Sequence, residues 1–415
     1  MKQRIVIIGG GVIGLSCAHY LMKSGASVTI IDKGRIGSGC SHGNCGYVSP
    51  SHILPFAGPG AIGRTLKTLF QRNSPLKVRF RFDPAMWGWF LRFARRCNQA
   101  DMLEAGHAID NLLRSSRTLF DELLTETKMD VEFEANGILF VIQSSEGMHH
   151  YEEVDRLLGK EFNLPAKRFD GPALNAFEPA LVDGLAGAWL YDCDAILRCD
   201  VLLREWRQWL ESRGLVIREN CEFRGLVANG RIVTGIETPC GSIPADAVIV
   251  ATGAWTPLLH KHLGVRVPIQ PGKGYSITMP RPKLCPRVPL IFEEHRVAVS
   301  PFRSGYRIGS TMEFAGYDDS MNRDRFNLLR DGARMYLRDP ESEPVQEEWW
   351  GWRPMVPDGK PIVGRVPKFD NVTIAAGHGM LGLSMATGTG RLVAELVTGA
   401  APHIDPRPYR VERFS

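Results

Sequence analysis

A glycine-rich turn near the start of the chain predicts a site for the phosphates of a dinucleotide. Gly9, Gly11 and Gly14 follow the apolar run 5–8 with the spacing Gly-x-Gly-x-x-Gly. This spacing permits a tight turn, lets the backbone approach a pyrophosphate and allows the following helix to pack closely on the strand. The free amides and the dipole at the helix start favour an anion.

An acidic residue at the end of the next predicted strand, 28–31, supports the same interpretation. Asp32 lies 18 residues after Gly14, where a carboxylate accepts hydrogen bonds from a ribose diol and disfavours the 2′-phosphate of NADP. Strand, turn, helix and acid together predict a dinucleotide-binding unit over 4–34. The alternative is a structural glycine turn in an unrelated α/β fold.

Three later segments bear on the choice between FAD and NAD. The loop 37–50 is rich in glycine and small polar residues and offers backbone groups to a polar ligand, unless it is a flexible surface loop. The segment 247–255 indicates a buried strand and a glycine turn beside Trp255, or a plain strand-to-helix turn. The segment 371–382 ends in a second Gly-x-Gly-x-x-Gly without a second strand and acid after it. We expect it to stabilise a reduced flavin through a helix N-terminus, rather than to bind a second dinucleotide.

Composition excludes several other classes of protein. The chain has 415 residues, 44% of them hydrophobic, and a formal charge of +5, which does not argue for nucleic acid. Its nine cysteines form no metal-ligand spacing, so no metal is expected. The apolar run 5–8 is too short for a signal peptide, and no apolar run is long enough to span a membrane. We therefore expect a cytoplasmic protein, or one peripheral on the cytosolic face of the inner membrane.

Taken in order, the motifs resemble those of the bacterial D-amino-acid dehydrogenases and, more widely, glycine, sarcosine and D-amino-acid oxidases. The resemblance extends along nearly the whole chain. It is carried by the turn 9–14, Ser41-x-x-Asn44-x-Gly46-x-x-Ser49-Pro50, Gly272-Lys273-Gly274-Tyr275-Ser276, Trp350-Gly351-Trp352-Arg353-Pro354-Met355-x-Pro357-Asp358-Gly359, Gly377-His378-Gly379-x-x-Gly382 and Arg413-Phe414-Ser415.

The resemblance implies an α/β fold in two domains. A Rossmann-type, glutathione-reductase-like FAD-binding domain would comprise 1–57, 146–265 and 345–415. A substrate domain with a mixed α+β sheet would comprise 58–145 and 266–344. The residue pattern agrees, since it predicts strands at 137–143, 297–300 and 306–310 and helices at 103–124 and 325–336.

The cofactor implied is FAD, held without a covalent bond. Its expected contacts come from the first turn and its acid, the loop that follows, the segment around Trp255 and the late glycine turn. They are Gly9, Gly11, Val12, Ile13, Gly14, Asp32, Lys33, Ser41, His42, Asn44, Gly46, Val48, Val227, Ala251, Gly253, Trp255, Gly377, Gly379, Met380, Leu381 and Gly382. His42 and Cys45 differ from the small apolar residues expected in this loop and raise the alternative of a covalent link.

The resemblance gives Arg353 the role of binding the substrate carboxylate, a task that suits a planar guanidinium. A structural salt bridge is the alternative. Trp352 stands where relatives have a smaller aliphatic residue, which affects the shape of the pocket. Tyr275 and His52 are further catalytic candidates, with ordinary packing as the alternative. His378 is expected to contact the flavin through its backbone.

These residues predict oxidative deamination of a D-amino acid, with hydride transfer from Cα to flavin N5. D-Proline and D-hydroxyproline fit as substrates, and a quinone or another non-oxygen compound as electron acceptor. The alternatives are an oxygen-using oxidase of glycine, sarcosine or a related secondary amine, and a flavin subunit of a heteromeric dehydrogenase. The stretch 86–96 mixes aromatic residues with three arginines. It predicts either a membrane-interface helix or a core-packing helix.

Overall fold

The computed structural model describes residues 2–63 and 74–414. Met1, residues 64–73 and Ser415 lie outside the described residues. The parts of the predicted domains and of the motif Arg413-Phe414-Ser415 that fall on these positions are likewise not among the described residues.

Within the described ranges, the strands alternate with helices in the first part of the chain and predominate in the later part. The strands are β1 Arg4–Ile8, β2 Ser27–Ile31, β3 Tyr47–Val48, β4 Leu76–Val78, β5 Ile138–Ile142, β6 Lys167–Asp170, β7 Gly187–Tyr191, β8 Ala195–Ile196, β9 Val216–Arg218, β10 Gly225–Asn229, β11 Ile232–Thr238, β12 Gly241–Pro244, β13 Ala247–Val250, β14 Gln270–Met279, β15 Leu290–Phe292, β16 Val297–Ser300, β17 Tyr306–Phe314, β18 Glu347–Met355, β19 Ile362–Arg365 and β20 Val372–Ala376.

The helices of the same ranges differ widely in length. They are α1 Val12–Lys23, α2 Pro84–Arg95, α3 Gln99–Thr127, α4 Ser145–Phe162, α5 Pro172–Phe177, α6 Cys199–Glu211, α7 His260–Leu263, α8 Arg323–Arg334 and α9 Ala386–Thr398, with 3-10 turns at Gly253–Leu259, Arg407–Tyr409 and Val411–Phe414.

A six-stranded sheet, in the order β19-β20-β13-β1-β2-β9, carries the dinucleotide turn. Its strands run parallel except β19. Because successive side chains of a strand point to opposite faces, Ile5 and Ile7 of β1 pack among α1, α3, α6 and α9. Val6 and Ile8 pack on the other face against the small antiparallel sheet β10-β11-β12. Burial on both faces explains the continuous apolar runs of these strands.

A second, nine-stranded mixed sheet follows the order β18-β14-β17-β16-β15-β5-β7-β6, with β4 beside β17. One of its faces is closed by α8, whose Phe326 and Leu329 are buried against Ile277 and Ile308. The α/β fold, with a Rossmann-type sheet and a second mixed sheet, is the one predicted, and the predicted strands and helices are found in their places.

The predicted division into domains remains a prediction, and strand pairing differs from its bounds at two places. β6 and β7 lie within 146–265, yet they extend the sheet of β5. β18 lies within 345–415, yet it pairs with β14 along its whole length. A division that follows the sheets would give these three strands to the substrate domain.

None of the described helices is both long and apolar enough to cross a membrane. Residues 2–63 and 74–414 also contain no cluster of His, Cys, Asp and Glu that could hold a metal ion.

Candidate active site

The turn between β1 and α1 has the geometry that its glycines require. Gly9 has a φ of +107°, a conformation that favours glycine. A Cβ on Gly14 would collide with the carbonyl oxygen of Gly9, so this glycine lets the helix pack on the turn. Gly11 is the N-cap of α1 and has no side chain to occupy the helix end. The helix N-terminus is thus open to an anion.

Asp32 and Ser41 hold this turn in place. The carboxylate of Asp32 accepts hydrogen bonds from the amides of Gly10 and Gly34, each at 2.8 Å. The hydroxyl of Ser41 accepts one from the amide of Val12 at 3.2 Å. Each carboxylate oxygen of Asp32 keeps a lone pair for a ligand hydroxyl.

A large cavity of about 1910 Å³ joins the dinucleotide turn to the nine-stranded sheet. It brings together most of the residues predicted as cofactor contacts. Its lining includes Gly9, Gly11, Val12, Ile13, Asp32, Lys33, Ser41, Asn44, Ala251, Gly253, Trp255, Gly377, Gly379, Met380, Leu381 and Gly382.

Five predicted cofactor contacts do not line this cavity. Gly14 lies beneath the turn, as its packing role requires. The ring nitrogen Nε2 of His42 is hydrogen-bonded to the carboxylate of Glu347 at 2.8 Å. Gly46, with a φ of +79°, makes a turn against Leu197. Val48 is buried in β3 and Val227 is exposed on β10, away from the cavity.

Residues after β9 line the cavity in a place that we did not predict. Cys221 and Phe223 follow this short edge strand of the six-stranded sheet. Parallel sheets bind ligands beyond the carboxyl ends of their strands. The place of β9 in the parallel sheet would therefore have predicted that the residues after it line the cavity. This strand has only three residues, so the sequence gave little indication that it exists.

Arg353 lies on the cavity wall, in β18. Its Nη1 donates to the carbonyl of Thr311 at 2.5 Å and its Nη2 to the carbonyl of Ser310 at 3.5 Å. No described carboxylate forms an ion pair with it. Burial lowers the pKa of Arg353 below its ordinary value, and the nearby titratable groups that affect this pKa are the thiols of Cys40 and Cys45. The structure thus presents a partly buried, unpaired cation to the cavity, which excludes the alternative of a structural salt bridge among the described residues.

The two carbonyls that hold Arg353 belong to a strained segment of β17. Ser310 has a φ of +110° and Thr311 a φ of +54°, which is unusual for a β-branched residue. The pairing of β14 with β17 shifts register at this point. Strain of this kind is commonly found at ligand sites. Here it turns two successive carbonyls toward one guanidinium.

Tyr275 lies on the opposite face of the sheet from Arg353. In the register of β14 and β18, Gly272 is opposite Arg353 and Tyr275 is opposite Trp350, so the two side chains point to different faces. The hydroxyl of Tyr275 donates to Glu313 at 2.6 Å, and its ring packs on Phe326 of α8. Tyr275 is nevertheless among the residues that line the cavity. Its hydroxyl is bonded to Glu313, so a contact with the substrate carboxylate stays a prediction.

His52 lines the cavity and has a ring nitrogen, Nδ1, without a partner among the described residues. The ring stacks at a tilt on Phe140, with 5.3 Å between centroids. Burial lowers the pKa of His52 to about 4, so the ring is neutral at pH 7.

The late glycine turn approaches the same cavity through its backbone. Gly377 and Gly379 have φ values of +77° and +56°, and residues 375–384 line the cavity just before α9 begins at Ala386. The ring of His378 lies in the core and hydrogen-bonds to Thr389 at 3.0 Å. Burial lowers the pKa of His378 to about 3. This arrangement agrees with a backbone contact rather than a catalytic imidazole.

Comparison with known proteins decides the family. The DAO family profile, described as FAD dependent oxidoreductase, matches residues 4–396. The chain belongs to the DAO family of FAD-dependent oxidoreductases. It is 34% identical over 421 residues to the D-amino acid dehydrogenase of Paramagnetospirillum magneticum, covering 100% of this chain and 99% of that protein. The predicted resemblance to bacterial D-amino-acid dehydrogenases is therefore confirmed.

Solved structures of the fold are similar over the same length. Glycine oxidase from Geobacillus kaustophilus superposes with a TM-score of 0.78 at 21% sequence identity, covering 99% of both chains. Glycine oxidase from Bacillus cereus gives a TM-score of 0.77 at 21% identity and 97% coverage of both. At this identity the likeness shows the fold alone.

The residues of this FAD-dependent oxidoreductase fit FAD. The open N-terminus of α1 suits the pyrophosphate and the carboxylate of Asp32 suits the ribose. Burial raises the pKa of the Cys45 thiol, which makes it a poor nucleophile, and His42 is paired outside the cavity. A non-covalent cofactor remains our prediction.

Proposed function

We propose that this chain dehydrogenates the Cα–N bond of a D-amino acid and passes the electrons to an acceptor other than oxygen. The observation that carries the proposal is Arg353, a cation on the cavity wall without a described carboxylate partner. The preference for D-amino acids is supported by the relative of 34% identity, which is named a D-amino acid dehydrogenase.

In the proposed mechanism, the guanidinium of Arg353 binds the substrate carboxylate in a bidentate manner. Its two nitrogens are already held by the carbonyls of Ser310 and Thr311. The side chain therefore loses little freedom when the substrate binds, and the position of Cα relative to the carboxylate is defined.

Bound FAD supplies the two-electron acceptor at flavin N5. The chain contributes orientation, since the anchor at Arg353 and the cofactor-binding turns line one cavity. Transfer of a hydride from Cα of the free amine would leave the iminium form of an imino acid, so no protein group has to accept a proton from the nitrogen. Water then hydrolyses the iminium to a keto acid and ammonia, or to an amino keto acid when the substrate is a cyclic secondary amine such as D-proline or D-hydroxyproline.

His52 is proposed to flank the bound substrate as a neutral ring, because it lines the cavity and burial lowers its pKa to about 4. Its Nδ1 is enclosed by protein, so this atom is not the one that faces the substrate. A neutral ring of low pKa does not hold the amino proton, so the reaction needs the substrate in its free-amine form. The rate should accordingly rise with pH as the substrate amine loses its proton.

Apolar residues around Arg353 support a dry site. Met312 and Met355 pack with Trp89, whose indole donates to the carbonyl of Met355 at 3.0 Å. Exclusion of water strengthens the ion pair between the substrate carboxylate and Arg353.

The electron acceptor is tested by the products formed in air. Purified holoenzyme should reduce a soluble quinone analogue with a D-amino acid and form little hydrogen peroxide. Stoichiometric hydrogen peroxide, with no gain in rate from the quinone, would instead make this chain an oxidase.

We further propose that the acceptor reaches the cavity from a membrane surface. The burial pattern of helix α2 supports this proposal, since Trp87 and Leu91 are exposed whereas Trp89 is buried in the core. Phe82, 98% exposed, comes just before this helix in the chain. Arg92, Arg95 and Arg96 are exposed nearby, and Phe80, Trp87 and Phe90 line the cavity.

Exposed aromatic residues beside arginines suit an anionic bilayer interface. We expect the protein to float with vesicles of phosphatidylglycerol, and the variant Phe82→Ser/Leu91→Ser to float much less. Leu284→Ser, an exposed apolar position elsewhere, serves as the control. Absence of the wild-type protein from the vesicle fraction would contradict this part of the proposal.

A further inference from the structure

The loop 41–46, between the acid at position 32 and β3, is held from one side by the nine-stranded sheet. Four consecutive carbonyls of this loop accept hydrogen bonds from side chains of that sheet. Arg307 donates to the carbonyls of His42 at 3.4 Å and Asn44 at 2.7 Å. Ser276 donates to the carbonyl of Gly43 at 2.9 Å, and Ser300 to that of Cys45 at 2.6 Å.

The peptide units held by Arg307 are those whose amides have no acceptor. In a planar trans peptide, the carbonyl of one residue and the N–H of the next point in opposite directions. The carbonyls of His42 and Asn44 therefore share their peptide units with the amides of Gly43 and Cys45. Neither amide has a hydrogen-bond acceptor in the described part of the chain, and both residues line the cavity.

The alternate peptide units behave differently. The carbonyls of Gly43 and Cys45, held by the two serines, share their peptide units with the amides of Asn44 and Gly46. These amides have acceptors within the loop, the carbonyl of Ser41 at 3.5 Å and the side chain of Asn44 at 2.7 Å. Arg307 therefore holds the peptide units whose amides are free, whereas Ser276 and Ser300 hold peptide units whose amides are already bonded.

We propose that Arg307 is a cofactor-positioning residue that presents the amides of Gly43 and Cys45 to FAD as a pair of donors. A cation bonded to a carbonyl also polarises the peptide unit, which strengthens its N–H as a donor. The pair would bind an acceptor atom of FAD that carries negative charge. This inference depends on FAD as cofactor and not on the proposed substrate.

The surroundings of Arg307 keep its guanidinium in one position. The side chain is 1% exposed. Its Nε donates to the hydroxyl of Thr278 at 2.9 Å, and Asp200 and Glu347 lie at 3.5 and 3.9 Å from its Nη2. These acids balance the buried charge, so the arginine needs no negative charge from the loop itself.

The test compares Arg307→Lys with Ser276→Ala and Ser300→Ala as matched controls. All three changes weaken the attachment of the same loop, but only the first affects the peptide units of the free amides. We expect the dissociation constant of FAD, titrated into apoprotein, to rise about tenfold or more for Arg307→Lys, as for loss of a charge-assisted hydrogen bond. It should rise only about two- to threefold for the serine variants.

Thermal unfolding of the apoprotein identifies a variant that does not fold. If Arg307→Lys does not fold, hydrogen exchange of the wild-type protein tests the proposal instead. FAD should protect the amides of Gly43 and Cys45 about tenfold, and those of Asn44 and Gly46 much less. A folded Arg307→Lys variant with wild-type FAD affinity, or equal effects of the arginine and serine changes, would overturn the proposal. So would amides of Gly43 and Cys45 that exchange alike with and without FAD.

The flavin midpoint potential then locates the acceptor atom. A more negative potential in Arg307→Lys assigns the amide pair to the flavin ring, because the reduced ring carries the additional charge. Weaker FAD binding at an unchanged potential assigns the pair to the phosphates.

Discussion

The guanidinium of Arg353 occupies the space that a Cβ atom on Gly274 would fill. A Cβ built there would collide with Cζ and with both terminal nitrogens of the arginine. Gly274 lies in β14 two residues after Gly272, the register partner of Arg353, and on the same face of the strand. The glycine thus lets the side chain lie on the sheet, with its nitrogens in reach of the carbonyls of Ser310 and Thr311.

The variant Gly274→Ala should therefore fold and bind FAD but bind substrate weakly. Because the colliding atoms are at the end of a flexible side chain, the guanidinium can move and the backbone need not. We expect the substrate concentration for half-maximal flavin reduction to rise about tenfold, as for loss of a good charge-assisted hydrogen bond. Gly159→Ala, where a Cβ meets open space in α4, is the control. An unchanged substrate affinity in Gly274→Ala would show that the position of Arg353 is unimportant.

Two glycines of the first turn should give different defects. A Cβ on Gly14 collides with backbone, the carbonyl oxygen of Gly9, whereas a Cβ on Gly11 makes only an ordinary contact with Ser41. Gly14→Ala should therefore destabilise the apoprotein. Gly11→Ala should leave its unfolding temperature nearly unchanged and weaken FAD binding, because the added methyl group stands where the pyrophosphate approaches. Calorimetry of the apoproteins and FAD titration measure the two effects, and equal loss of stability in both variants would refute the assignment.

Asp194 should make stability depend on pH. Its buried carboxyl accepts hydrogen bonds from the amide and hydroxyl of Ser51 at 3.0 and 2.6 Å. Burial raises the pKa of Asp194 to about 7. The unfolded chain has the ordinary, lower pKa, so the folded state loses stability as pH rises through that interval and levels off above it.

The variant Asp194→Asn should become more stable relative to wild type as the pH increases from about 4 to about 7. The gain is at most about 1.4 kcal/mol for each pH unit. Unfolding by urea at several pH values measures it, with the neighbouring exposed Asp192→Asn as control. A difference between variant and wild type that stays constant with pH would contradict the raised pKa.

The parts of the site that could be predicted from the sequence are those with local chemistry. The turn 9–14 and Asp32 lie in one short segment. The strand, the glycines and the acid of this segment each follow from a separate physical need of dinucleotide binding. The resemblance singled out Arg353 because its motif is short and contiguous, and the structure places this residue on the cavity wall.

The partners of these residues could not be predicted, because they come from distant strands. Neither Ser310 nor Thr311 has the side chain that predicts a positive φ, so their strained backbone leaves no signal in the sequence. The alternation of side chains in β14 places Tyr275 and Gly274 on opposite faces of the sheet. Which of these faces is covered depends on where α8 packs, and the sequence does not show this. Arg307 reads as an ordinary charged strand residue, although it is among the most buried side chains.

Anaerobic flavin bleaching tests the central claim most directly. Holoenzyme under nitrogen is mixed with D- and L-amino acids, including proline and hydroxyproline, and compared with the variant Arg353→Met. We predict that a D-amino acid bleaches the wild-type flavin and its L-enantiomer does not, and that Arg353→Met retains FAD but is not reduced at the same concentrations. Bleaching of Arg353→Met at the wild-type rate and concentration dependence would contradict the carboxylate anchor, and wild-type flavin that no amino acid bleaches would contradict the proposed function itself.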